Sequence, residues 1–124
     1  MNRWNIPAWL EAQVIERDRR CIYCGVEFFR PPVGRGEKPT WEHIVNDARI
    51  VTPENIARCC SSCNASKGAK ILAVWLESSY CAKRGITRQS IAPIARAALL
   101  SPPTLGVLAA NSSLKADGPD GPPL

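Results

Sequence analysis

Two Cys-x-x-Cys pairs constrain this chain more than any other feature. Cys21-Ile22-Tyr23-Cys24 and Cys60-Ser61-Ser62-Cys63 use four of the 6 cysteines, with residues 25 to 59 between them. Each pair can turn both sulfurs toward one tetrahedral ion, and two pairs complete a four-thiolate shell. Soft thiolates select zinc. A closed shell leaves no open coordination position, so the spacing predicts a structural Zn²⁺ that supplies folding free energy. Only Cys60, and not its neighbour Cys59, leaves a two-residue gap to Cys63, so Cys59 and Cys81 are expected to pack as small hydrophobes. A redox Cys-x-x-Cys and buried unligated thiols are the alternatives to metal.

The metal reading requires reduced thiols. The N-terminal residues 1–7 contain no apolar run of signal-peptide length, and the longest uncharged stretch, residues 97–114, holds Pro102, Pro103, Gly106 and Asn111. A spanning helix would have to be built across that proline pair, so the expectation is a cytoplasmic chain with no membrane partner, where thiols stay reduced. The 124 residues fit one domain. Sixteen Lys and Arg against 11 Asp and Glu give a formal charge of +5, the sign suited to a polyanionic partner. Oligomeric state is not legible in the pattern.

Ile6, Trp9, Leu10 and Val14 recur at helical intervals and predict an amphipathic helix over 6–19, with Asn5 as its cap and Pro7 in its first turn. From 21 to 63 the pattern breaks into short pieces: the first knuckle, an apolar run at 26–29, a Pro/Gly-rich loop at 31–39 and a strand at 40–45. Helical patterns resume over 67–80 and 87–100, the second kinked by Pro93. The fold class is α+β. Residues 1–100 form the domain, and 101–124, rich in Pro, Gly, Ser and Ala, are expected to be a flexible C-terminal tail.

The segment between the knuckles contains the chain's 1 histidine, in Trp41-Glu42-His43-Ile44-Val45. Taken alone, His43 reads as a half-exposed strand residue. Glu42 and His43 are adjacent, so on a strand they face opposite ways and share a site only if the strand ends there or one reaches around its edge. Asn55 follows Thr52-Pro53-Glu54, a helix-start-like turn, and Asn64 follows the last cysteine at the start of a helix.

In these residues the chain resembles the HNH endonuclease family, the ββα-metal nucleases, in the form braced by zinc on four cysteines. The match runs through Arg17-Asp18-Arg19-Arg20-Cys21-Ile22-Tyr23-Cys24-Gly25 and Glu42-His43-Ile44-Val45. It continues in Glu54-Asn55-Ile56-Ala57-Arg58-Cys59-Cys60-Ser61-Ser62-Cys63-Asn64-Ala65-Ser66-Lys67-Gly68, and spans residues 14–76 in all. The resemblance implies a ββα-metal centre that hydrolyses DNA phosphodiesters. In it His43 is the general base, Asn55 holds the loop that orients His43, and Asn64 is the third letter of the motif. Two departures stand out: Glu42 where aspartate is commoner, and Asn46-Asp47-Ala48-Arg49 where many relatives carry a proline and a glycine-rich loop.

Phosphodiester hydrolysis needs a water deprotonated near neutral pH and a cation to neutralise charge growing on the phosphate and the leaving oxygen. A neutral imidazole suits the first task, and the oxygen donors of Glu42 and Asn64 suit a hard Mg²⁺ or Mn²⁺. Arg17, Arg19, Arg20, Arg58, Lys67 and Lys70 are the expected contacts to a DNA duplex, the two lysines lying one turn apart on a helix that begins at Asn64. The alternatives are a non-catalytic zinc module that binds nucleic acid through the same basic surface and a protein-interaction zinc ribbon, which the positive charge suits less well.

Overall fold

The second knuckle sits where a strand turns into a helix: β2 (Ile56–Cys60) ends on Cys60 and α2 (Ser61–Lys67) begins on the next residue. The computed structural model describes residues 4–29 and 34–105. In chain order, α1 (Ala8–Arg17) and a 3-10 turn (Arg35–Glu37) precede β1 (Pro39–His43). After β2 and α2 come α3 (Leu72–Trp75), α4 (Ser79–Arg84) and α5 (Pro93–Leu100). This is a small mixed fold of one two-stranded sheet and helices. No helix among the described residues is long and apolar enough to cross a membrane.

β1 and β2 pair antiparallel, with Thr40 opposite Cys59, Trp41 opposite Arg58, Glu42 opposite Ala57 and His43 opposite Ile56. Side chains alternate across a strand, so Trp41, His43, Ile56 and Arg58 share one face, and Thr40, Glu42, Ala57 and Cys59 the other. The first face packs on α1, where Ile6, Leu10 and Val14 close over Ile56 with help from Trp4, Trp41 and Val51. The second carries the larger core, in which Tyr23, Ile44, Ala57, Cys59, Trp75, Cys81 and Ile91 meet. The α1 cluster is tied to the hairpin by Arg17, which donates to the carbonyls of Pro53 and Ile56 at 2.9 and 2.8 Å.

Several boundaries differ from the sequence expectation, each for a local reason. α1 starts after Pro7 and stops at Arg17, and Asn5 adopts a left-handed φ of 58° in place of capping it. The helix expected over 67–80 is broken into pieces. Gly68, at φ 52°, ends α2 at Lys67, and Ser78 opens α4 afresh by accepting the Cys81 N–H. α2 itself begins three residues before Asn64, at Ser61. Pro93 does not kink a longer helix but opens α5, where its missing N–H is harmless. The apolar run at 26–29 forms only an isolated bridge, Arg20 to Glu27. Of the expected tail, residues 106–124 lie outside the described residues.

Candidate functional site

The four cysteines of the two knuckles converge: their sulfurs all lie within 4.8 Å of one another, and Cys24 Sγ is 3.7 Å from Cys60 Sγ. A tetrahedral Zn–S length of about 2.3 Å puts sulfurs about 3.8 Å apart, so the donor set fits a metal ion such as zinc. The surroundings suit thiolates as well. Cys21 Sγ accepts the backbone N–H groups of Tyr23 and Cys24, and Cys60 Sγ accepts that of Cys63, all at 3.4 Å. Tyr80, from α4, donates its phenolic hydroxyl to Cys63 Sγ at 3.3 Å. The first knuckle closes through Gly25, whose φ of 81° a side chain would strain. Hydrogen bonds from Cys21, Cys60 and Cys63 hold the Cys24 thiol well below the usual thiol range. Cys59 and Cys81 stand outside this group, both fully buried, and burial raises both thiols.

His43 is the last residue of β1 and only 9% exposed. Its Nε2 is shut from solvent and has no hydrogen-bond partner among the described residues. The Trp4 ring stands edge-on to the imidazole, with centroids 5.2 Å apart. Burial pushes the His43 pKa below its ordinary value; Asp47 opposes the shift and Lys67 adds to it. At neutral pH the ring is therefore uncharged. The loop that follows is pinned by Asn55, which is fully buried. Its Oδ1 accepts the Val45 N–H at 2.7 Å, and its Nδ2 donates to the carbonyls of Val45 and Ile50 at 3.2 and 3.0 Å. With the Ile44 N–H on the Asn55 carbonyl at 3.0 Å, the chain leaving His43 is held on both sides of its turn.

Glu42 and Asn64 belong to the other face of the hairpin. Tyr23 donates its hydroxyl to Glu42 Oε2 at 2.7 Å, and Lys67 Nζ lies 3.1 Å from the same oxygen. Burial raises the Glu42 carboxyl against the pull of Lys67 and Tyr23. Both contacts fall on Oε2, which leaves Oε1. Asn64 donates its amide to Thr40 Oγ1 at 2.8 Å and to the Trp41 carbonyl at 3.2 Å, which leaves Oδ1 as an acceptor. The structure thus brings the four cysteines together and sets Asn55 behind His43, while Glu42 and Asn64 sit across the strand from the imidazole.

The expected DNA contacts divide sharply. Lys67 is a correction: it is 1% exposed, donates to the Ile44 carbonyl at 2.9 Å and faces Glu42, so it is an interior residue and no phosphate ligand. Lys70 lies past the end of α2, exposed, with Nζ on the Ser66 carbonyl at 3.2 Å. Arg17 grips Asp18 with two bonds of 2.7 Å, and Arg20 pairs with Glu27 at 3.0 Å. Arg19 and Arg58 instead rest on aromatic rings. Arg19 lies over Phe29 at 4.6 Å, and Arg58 over Phe28 and Trp41 at 5.4 and 5.6 Å.

Comparison with protein-family models, with curated proteins and with solved structures returns no match for this chain. Four residues of the site escaped the sequence reading: Trp4, Asp18, Tyr23 and Tyr80. Tyr23 carried a signal, since an aromatic inside a Cys-x-x-Cys turn must bury its ring near the sulfurs and find a partner for its hydroxyl.

Proposed function

We propose that this chain is a divalent-metal-dependent DNA endonuclease of the HNH type, braced by a structural Zn²⁺ on Cys21, Cys24, Cys60 and Cys63. The observation that carries the reading is the buried, unpartnered Nε2 of His43 at the end of β1. A core histidine that only filled space would have found a partner for that nitrogen, because a buried polar atom left alone costs about 1–3 kcal/mol. The imidazole is neutral, and Asn55 fixes the backbone that leaves it. His43 takes a proton from the attacking water as the water oxygen bonds to phosphorus and the bond from phosphorus to the leaving oxygen breaks. A Mg²⁺ or Mn²⁺, when bound, neutralises charge on the phosphate and the leaving oxygen. Glu42 Oε1 and Asn64 Oδ1 are the oxygen donors this chain offers it, from the face opposite the imidazole, so metal and base would meet around the end of β1, where His43 is the last residue.

The test is plasmid nicking in Mg²⁺ and in Mn²⁺, compared with His43→Ala. Cleavage by the wild type that disappears in the variant, with zinc content unchanged, supports the enzyme. A second reading, a non-catalytic zinc module that binds nucleic acid, is favoured by the closed contacts of Glu42 with Tyr23 and Lys67. It requires that the wild type bind DNA and cut it in neither metal.

A further inference from the structure

Arg58 stands opposite Trp41 on the hairpin face that carries His43. Its guanidinium carbon lies 5.4 Å from the Phe28 ring centre and 5.6 Å from that of Trp41. The acid beside it, Asp18, is already occupied: both carboxylate oxygens accept from Arg17 at 2.7 Å, and Oδ2 also accepts the backbone N–H of Arg58 at 3.1 Å. The Arg58 side chain makes no hydrogen bond or ion pair with any described residue. Arg19, an exposed residue, also lies over a ring, that of Phe29, and the two pairs are joined by the Phe28 N–H donating to the Arg19 carbonyl at 3.1 Å.

A half-buried guanidinium with no acid bonded to it is unusual, because burial disfavours its charge and its five N–H groups want acceptors. Aromatic rings beside the group stabilise the cation but supply no oxygen acceptor for its N–H groups. A planar guanidinium whose N–H groups are not bonded to an acid matches the paired oxygens of a phosphate. The net charge of +5 favours a ligand that carries many such groups.

We propose that Arg58 and Arg19, each beside an aromatic ring, offer their guanidinium forks to backbone phosphates of bound DNA. The inference rests on the nucleic-acid reading above but not on cleavage. It separates these two arginines from Arg17 and Arg20, whose forks are filled by Asp18 and Glu27.

The experiment is fluorescence anisotropy of a labelled 20-base-pair duplex, without divalent metal and across a salt titration. It compares the wild type with Arg58→Gln, Arg58→Lys, Arg19→Gln and Arg20→Gln. Arg58→Gln and Arg19→Gln should each weaken binding about tenfold and lower the slope of log K against log salt by about 0.9. Arg58→Lys keeps the charge and the ring contact but not the fork, so its affinity should stay several-fold low. Arg20→Gln should bind within twofold of the wild type. Circular-dichroism melting within a few degrees of wild type qualifies each variant, and Arg58→Lys carries the test if Arg58→Gln melts early. Wild-type affinity and slope in both Gln variants would overturn the proposal even if the protein cuts DNA, as would a wild type that does not bind the duplex. Inorganic phosphate that displaces the duplex at matched ionic strength would assign the forks to a free anion and also overturn it. Arginine-dependent binding without cleavage would uphold the forks and remove the nuclease reading instead.

Discussion

Lys67 Nζ lies 3.1 Å from Glu42 Oε2, and the two side chains are only 1% and 6% exposed. Lys67 is the last residue of α2; Gly68 turns the chain away, and the side chain reaches back beneath the hairpin to the Ile44 carbonyl. A buried pair this well bonded adds little over apolar packing, but removing one partner strands a charge at a cost of about 3–5 kcal/mol. Lys67→Met should therefore lower the melting temperature by well over ten degrees, since about 1 kcal/mol shifts a domain of this size by about 4–8 °C. Adding Glu42→Gln to Lys67→Met should recover much of the loss. A Lys67→Met protein that melts like the wild type would show that the pair does not form in solution.

The two adjacent cysteines of β2 give a test of the metal centre. Cys60→Ser removes a sulfur from the cluster, and with it folding free energy, so the variant should lose zinc and become sensitive to protease. Cys59→Ser should be mild, because its position lies 3.7 Å from Thr40 Oγ1, where a serine hydroxyl finds a partner. Tyr80→Phe removes the donor to Cys63 and should weaken zinc retention against a chelator by about tenfold, with the fold intact. Zinc analysis and limited proteolysis read all three, and the opposite order of the two cysteine variants would exchange their roles.

What was legible in the sequence was whatever depends on short-range geometry. The Cys-x-x-Cys turns and the strand through His43 follow from a few neighbouring residues, whereas Asn55 as the holder of the loop came from the family resemblance and β2 carried no strand reading. The rest depended on where a helix stops. A periodic apolar pattern continues through 67–80, but Gly68 and the Ser78 cap cut it into pieces, and this turned Lys67 from a surface cation into a buried one. Arginine fates were equally hidden: Arg17 and Arg19 are two residues apart, yet one is bound by Asp18 and the other lies on Phe29. Those choices are made by side chains distant in sequence, such as the Ile56 carbonyl that Arg17 reaches.

Stability should depend on pH through His43. Its pKa is lowered in the folded state from the ordinary 6.5, mainly by burial, so below that value the unfolded chain binds more protons than the folded one. The contribution is complete above pH 6.5 and is lost as pH falls toward the folded-state value. Urea midpoints taken from pH 7.5 down to 5 should fall in the wild type, and His43→Gln should flatten that part of the curve. Parallel curves for the two proteins would show that the imidazole is not buried in solution.

Catalysis separates a base from a structural histidine. His43→Ala should abolish divalent-dependent cleavage while zinc content and salt-sensitive DNA binding stay near wild type, because the side chain moves a proton and adds little phosphate affinity. Asn64→Ala removes an oxygen donor but leaves the base, so it should raise the Mg²⁺ or Mn²⁺ concentration needed and approach wild-type rate at saturation. Asn55→Ala frees the Val45 N–H and the Val45 and Ile50 carbonyls, which unpins the loop behind His43. Its rate should fall with no change in metal requirement. Imidazole in solution should partly restore His43→Ala, since a diffusible base enters the space the side chain leaves, and should do nothing for the other two. Because burial lowers the pKa of the imidazole, the wild-type rate should fall less between pH 7.5 and 6.5 than that of an ordinary histidine base. A His43→Ala enzyme that cuts at the wild-type rate in saturating metal would end the proposed mechanism.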